Sequence, residues 1–381
     1  MTETIWNVPL SDINYGEAEE KAVLEVLRSR WLTMGSVTGE FERQFAAKLN
    51  TGHAVAVSNA TSALHLACLV LGIGEGDEVI LPSLSFVATA NAPTYCGARV
   101  RFADILGPDE LTISPDSIEG AITPQTKAVI VMHYAGFPCR MEEIMEIASR
   151  HNLAVIEDAA HAPGAVLNGK FLGTWGDIGC FSFFSNKNLV TGEGGMLITR
   201  SDKLAEKARS LRSHAMTSQT WDRHQGHAYS YDVVGLGYNY RIDEIRSALG
   251  IVQLAKLDAD NVARSRITEH YWNAFKLFPL TLPFRELVSK KECKGAYHIF
   301  PILLPNVSDR KMFMETLRSE GIQTSIHYPP IHQFSFYSNR YPDVSLPNTE
   351  HVARREVTLP LFASMTSIQT ERVIKVVTGA L

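Results

Sequence analysis

The chain has 381 residues, 45% hydrophobic and 20% charged, enough to build one large domain and a smaller one. Its 36 basic and 41 acidic residues leave a formal charge of −5 without any block of like sign, so no electrostatic case exists for nucleic acid or an anionic membrane. The N-terminal stretch MTETIWNVPLSDINYGEAEEKAV lacks a basic region followed by an apolar core, no apolar run could span a bilayer, and five scattered cysteines lack metal-ligand spacing; the expectation is a cytoplasmic protein with reduced core thiols and no metal.

From residue 54 onward, short β-rich runs alternate with helical stretches. The runs are 54–58, 78–82, 98–104, 127–134, 153–158, 180–184 and 195–199. Continuous apolar strands between helices predict an α/β fold whose seven-stranded, mostly parallel sheet is covered on both faces. In TSALHLACLVLG the residues Leu64, Cys68 and Leu71 fall on one helical face. The cluster GIGEGDEV precedes a strand instead of following one, so it reads as a helix stop and turn. A long helix runs from YRIDEIRSALGIVQL to about Phe275, with Ile245, Leu249 and Val252 on one stripe. Beyond PLTLPF the texture is strand, helix, strand, helix (AYHIFPILLP, DRKMFMETLRSEG, QTSIHY and, behind a Thr366-to-Gln369 capping box, ERVIKVV). The division is therefore 15–250 for the large domain and 251–381 for the connecting helix and a small α+β domain.

Ligands of open parallel sheets sit at the carboxyl ends of the strands, and four such ends carry chemistry. Asn59-Ala60-Thr61-Ser62 opens a helix and offers N–H groups, hydroxyls and a dipole to a phosphate, or simply caps the helix. Ser83-Leu84-Ser85-Phe86 could lay an aromatic face on a planar ring, or Phe86 could be plain core. Asp158 comes after four apolar residues and Glu157, at the end of LAVIED, and either caps a turn or answers a buried cation. Finally, CFSFFSNKNLVTGEGG holds Ser182 in a strand and a solitary Lys187 before a glycine-rich turn; the lysine either snorkels to water or, desolvated, is a nucleophilic amine. A phosphate cradle, a stacking ring, a carboxylate for a pyridine nitrogen and an amine for an aldehyde together match the handles of pyridoxal 5′-phosphate (PLP).

The segments SNATSALHLA, PSLSFVATANA, VIEDAAHAPGA, CFSFFSNKNLVTGEGGMLIT and GLGYNYRIDEIRSALGIVQL, with HYPPIH and PLF near the C-terminus, closely resemble the DegT/DnrJ/StrS nucleotide-sugar aminotransferases, PLP enzymes of fold type I. SRWLTMGSVTGEFERQFA and YPDVSLPNTEHVARREVTLPLF look most like members that aminate a 4-keto sugar, such as the 4-amino-4-deoxy-L-arabinose enzymes. The resemblance implies that Lys187 is the Schiff-base lysine, Asp158 the partner of the pyridine nitrogen and Phe86 the residue packed on the ring. It implies phosphate ligands at Thr61, Ser62 and Ser182, and places His161 beside the cofactor. Asn239 matches an asparagine that reaches the phosphate of the neighbouring subunit, with Arg241 next to it, which implies a homodimer with shared sites. The implied partners are a nucleotide diphosphate ketosugar and L-glutamate, released as 2-oxoglutarate. The polar loop from Thr33 to Thr38 and the set His327, Tyr328 and His332 could bind the sugar and diphosphate, or could merely pack two domains together. SNATS where NGT is frequent, and Phe86 where some relatives have tryptophan or tyrosine, weaken transfer of an exact substrate.

Rival readings fit less well. A dinucleotide fold lacks its phosphate fingerprint, and His327 with His332 in a proline-bearing loop is a poor metal site. A dehydratase branch that carries histidine in place of the lysine is opposed by Lys187, whereas a PLP-binding sensor on the same fold would share every cofactor residue.

Overall fold

The computed structural model describes residues 6–217, 230–288 and 292–381; the first five residues of the N-terminal stretch read above lie outside them. Seven strands form the main sheet: β1 (His53–Val57), β2 (Glu78–Pro82), β3 (Arg99–Ala103), β4 (Thr126–Met132), β5 (Ala154–Asp158), β6 (Ile178–Ser182) and β7 (Gly195–Thr199). Their order is β1-β7-β6-β5-β4-β2-β3, and β7 alone runs antiparallel to both its neighbours.

The period of two along a strand explains why the central runs are largely apolar on both faces, while β3 at the sheet edge carries Arg99 and Arg101. Val55 and Val57 face one side, together with Leu81, Ile130, Ile156, Cys180 and Leu197, beneath the helix Ala60–Val70. Ala54 and Ala56 face the other, where Phe181, Met196 and Ile198 meet Phe41 and Phe45 of the helix Ser36–Lys48. Farther along that second face, Val129, Val131 and Val155 pack on Ile144 and Ala148 of the helix Met141–His151. Helix Ala60–Val70 is buried on nearly all sides, not only along Leu64 and Cys68, because it lies between the sheet and the helices Ala88–Tyr95 and Asp202–Arg212.

The long helix spans Glu244–Phe275, opened by Asp243, whose side chain accepts from Arg246 N at 2.9 Å. Its core-facing stripe is not the expected one. Ile245, Leu249 and Val252 are half-exposed, while Ser247, Ala248, Gly250 and Leu254 are buried. Gly250 explains the reversal: a Cβ there would lie 2.5 Å from the Phe41 ring, so close approach of the helix Ser36–Lys48 selects small residues over large ones.

After residue 292, β8 (Phe300–Leu303) and β9 (Glu356–Leu359) form an antiparallel pair. The helices Arg310–Ser319 and Ser367–Gly379 cover it, the latter with the expected capping box. QTSIHY does not form the expected strand. It keeps only an isolated bridge, Ser325 to Thr358, then turns so that His327 N donates to Glu356 Oε2 at 2.8 Å. Cys68, Cys139 and Cys180 lie in the core, but Cys96 and Cys293 are partly exposed. Among the described residues no helix is long and apolar enough to cross a membrane.

Candidate active site

The register of the sheet brings three strand ends together. Gly195 pairs with Val57 on one side and Ser182 on the other, so Ser182 stands beside the start of the helix Ala60–Val70. A Cβ on Gly195 would lie 2.5 Å from the Asn59 carbonyl carbon, which is why a glycine opens β7. Asn59 is the actual cap: its Oδ1 accepts from Ser62 N at 2.8 Å and from the Ser62 hydroxyl at 3.0 Å. Thr61, beside it in the first turn, presents a hydroxyl and one of the N–H groups that no preceding turn can satisfy. Helix start, Thr61 and Ser182 together make a donor set suited to a phosphate, which the Ser62 hydroxyl joins by turning from Asn59 Oδ1 to the anion.

Asp158 closes β5, only 4% exposed. Its Oδ2 accepts from the Thr89 hydroxyl at 2.8 Å and its Oδ1 from Ala160 N at 3.2 Å. Burial pushes its carboxyl above the usual range, against the pull of Thr89, Ala160 and the charge of Lys187. Thr89 is itself fully buried and bonded to the Ser85 hydroxyl at 2.6 Å. The preceding residue, Glu157, points to the opposite face, where it accepts from Gly173, Trp175 and Gly176 N–H groups and from His133.

Lys187 follows the buried Phe183, in a turn where its N–H donates to Phe184 O at 2.9 Å. Desolvation pushes its amine down to about 8, while Asp158 pulls it up. Lys187 Nζ lies 3.4 Å from His298 Nε2. The His161 and His298 rings are 4.2 Å apart, and His161 Nε2 meets the Tyr328 hydroxyl at 2.9 Å. Burial holds both histidines well below the usual imidazole range, helped by neighbouring cations. His327, brought in by the bend after Ser325, bonds Thr358 Oγ1 through Nδ1 at 2.8 Å, and burial lowers it to about 4. The carboxyl of Glu356, behind this pair, is raised by burial to about 8. Phe86 remains 55% exposed at the mouth, 6.1 Å from the Tyr328 ring.

The structure therefore gathers Lys187, Asp158, His161, Tyr328 and His327 into one site, with Phe86 at its rim and the Thr61, Ser62 and Ser182 cradle at the neighbouring strand ends. Other expected residues stand apart. His332 is engaged on both ring nitrogens, with Ser83 Oγ at 2.7 Å and Glu350 at 3.4 Å, where it braces β2 against the C-terminal region. Thr33 is exposed, and the loop behind it is fastened by Glu244, which accepts from Gly35, Val37 and Thr38. Asn239 is exposed in a bridge to Ser213, and Arg241 is half-buried. Residues not singled out from the sequence are Thr89, Asn188, His298 and Glu356; a histidine inside the apolar run AYHIFPILLP was the one available signal.

PLP fits this donor set. The cradle matches a phosphate, Asp158 a protonated pyridine nitrogen, the desolvated Lys187 amine an aldehyde, and the open Phe86 ring an aromatic face. Two buried polar atoms, His161 Nδ1 and Asn186 Oδ1, have no protein partner among the described residues, so a bound polar group would satisfy them. Fold and site define a PLP-dependent transferase of fold type I.

The comparisons narrow the class. Residues 14–378 match the DegT/DnrJ/EryC1/StrS aminotransferase family, and the chain belongs to it. An uncharacterised protein of Methanocaldococcus jannaschii, MJ1066, is 39% identical over 92% of both chains. Among solved structures, the aminotransferase TlmJ of Streptoalloteichus hindustanus superposes with a TM-score of 0.89 at 34% identity, covering 99% of this chain and 98% of its own. PseC of Helicobacter pylori, an aminotransferase involved in the biosynthesis of pseudoaminic acid, gives a TM-score of 0.91 at 30% identity over 98% of both.

Proposed function

We propose that this PLP-dependent sugar aminotransferase moves the amino group of L-glutamate to a nucleotide-linked ketosugar, with the carbonyl at C4. The observation that carries this reading is the character of the groups around Lys187 Nζ. Tyr328, His161 and His327 form a hydrogen-bonding, uncharged wall, which suits sugar hydroxyls. When bound, PLP supplies the electron sink for the transfer. The chain's own part is to hold the cofactor's phosphate at Thr61, Ser62 and Ser182, to set a carboxylate at the pyridine nitrogen through Asp158, and to move the substrate's α-proton with the Lys187 amine. An amine near 8 is well placed for that, since a proton-transfer group works best with its pKa close to the working pH. A nucleotide held far from the reacting carbon supplies binding energy for orientation.

The same reading takes residues 15–250 as the large PLP-binding domain and 251–381 as the connecting helix and small domain, working in the cytoplasm as a homodimer. In that dimer Asn239, with Arg241 beside it, serves the partner's phosphate site; the exposure of Asn239 supports this. Thr33, which is exposed, is kept as a substrate contact at the rim, whereas His332, held on both ring nitrogens by Ser83 and Glu350, is left to brace β2. The test is a half-reaction. The pyridoxamine-phosphate form is mixed with free and nucleotide-linked 4-keto and 3-keto sugars and with 2-keto acids, and recovery of visible absorbance is timed. The nucleotide-linked 4-ketosugar should react fastest; equal rates with the free sugar, or preference for an ordinary 2-keto acid, would overturn the assignment.

A further inference from the structure

We propose that His298 is a positioning residue for Lys187, held by Asn188 in the one tautomer that turns an acceptor toward the lysine amine. The ring's tautomer is set by neighbouring groups that have no tautomer to choose. Asn188 Nδ2 donates to Ala296 O at 2.6 Å and to Asn261 Oδ1 at 2.8 Å, and Asn261 is oriented in turn by donating through Nδ2 to Pro163 O at 2.9 Å. A main-chain carbonyl can only accept, so the Asn188 amide has a single orientation and its Oδ1 faces His298 Nδ1 at 2.9 Å. That oxygen also can only accept. The proton of a neutral His298 therefore sits on Nδ1, and the lone pair of Nε2 faces Lys187 Nζ at 3.4 Å.

The ring is fixed as well as polarised. His298 is 3% exposed, its N–H donates to Ala135 O at 2.9 Å, and its carbonyl accepts from the buried Arg264. It stays neutral because burial, His161, Lys187, Arg264 and His327 all oppose a second proton. Lys187 is thus faced by Asp158 at the end of β5, His161 in the turn after it, His327 from the bend before β9, and His298 from the segment entering β8. Of these, His298 places a hydrogen-bond acceptor 3.4 Å from Nζ. Its role is to hold the ammonium form of an otherwise desolvated amine and fix where Nζ rests before a substrate or cofactor carbonyl arrives.

A bond to an ammonium is about twice as strong as one to a neutral amine, so losing the acceptor should lower the Lys187 midpoint by about one pH unit. The measurement uses the cofactor-free full chain labelled with ¹⁵N-lysine, the Lys187 signal being assigned by its loss in Lys187→Ala. His298→Phe should shift the titration down by about that amount, and His298→Gln, whose side-chain carbonyl reaches the position of Nε2, should restore most of it. An unchanged midpoint in a folded His298→Phe chain would overturn the proposal. Should that variant not fold, ¹⁵N-histidine shifts of the unaltered chain decide alone: a proton on Nδ1 at neutral pH supports the assignment, and a proton on Nε2 or a doubly protonated ring refutes it. The proposal rests on the aminotransferase reading only for the importance of Lys187. Because no cofactor or substrate enters the measurement, its failure and a failure of the substrate assignment are separate results.

Discussion

Replacing Thr89 by valine tests how the buried Asp158 keeps its charge. Valine matches threonine in volume and removes only the hydroxyl, at a site with no exposure, so the variant should keep the fold. Asp158 Oδ2 then loses its donor at 2.8 Å, leaving Ala160 N on the other oxygen as the remaining neutral donor. Burial already raises this carboxyl, and a hydrogen bond to a charged group is worth about 1.5–3 kcal/mol. Loss of that amount weakens the ionised form by about ten- to a hundredfold. The rate of the L-glutamate half-reaction, read by visible absorbance across pH, should fall by about that factor on its acidic limb, and the limb should move to higher pH. Thr89→Ser should recover most of the loss. A Thr89→Val enzyme with native circular dichroism and an unshifted acidic limb would show that Thr89 merely fills space.

Asp158→Asn should preserve the fold and lower turnover by several orders of magnitude, since an amide cannot hold a pyridinium proton; activity within about tenfold of the parent, or about 1.4 kcal/mol of barrier, would make the carboxylate structural. Refolding inactive Lys187→Ala chains together with inactive Asn239→Ala chains should regenerate activity in mixed dimers that hold one intact site, and no recovery from dimeric mixtures would refute a shared site. Glu356 gives a stability test. Its folded value of about 8 lies above its ordinary 4.5, so between these pH values the folded chain binds the extra proton, and stability should drop as pH rises through that window. In Glu356→Gln the urea-unfolding free energy should lose up to about 1.4 kcal/mol per pH unit of that slope; identical slopes in both proteins would argue against a buried, protonated Glu356.

The strands were legible because sheet burial is nearly complete. When Val55 and Ala56 must both be covered, the run has no polar residue to confuse it, and the turn glycines and prolines supply its ends. The long helix shows the limit of the same logic. Reading its core face from the largest aliphatics selected Ile245, Leu249 and Val252, but the tightest packing is against Phe41, where only Gly250 fits. Size marks a core face only where neighbouring elements stay at ordinary distance. QTSIHY misled for a different reason: its alternation suits a strand, but the acceptor at Glu356 and the bridge at Ser325 stop the pairing after one rung.

In the site, a residue was readable when its chemistry conflicted with its local surroundings. Asp158 at the end of the run LAVIED and Lys187 beside an aromatic run are costly placements that demand partners, and the sequence exposes the demand without naming who meets it. Thr89 and His298 meet it from 69 residues upstream of Asp158 and from 111 residues beyond Lys187, distances that the fold alone closes, while Asn188, next to Lys187 in the chain, orients His298. Threonine in a helix and asparagine in a loop cost nothing locally, so nothing in their own neighbourhood singles them out. The same asymmetry explains why substrate contacts were the hardest to read. His332 and Thr38 look as available in the sequence as His327, but Ser83, Glu350 and Glu244 have already taken their polar atoms.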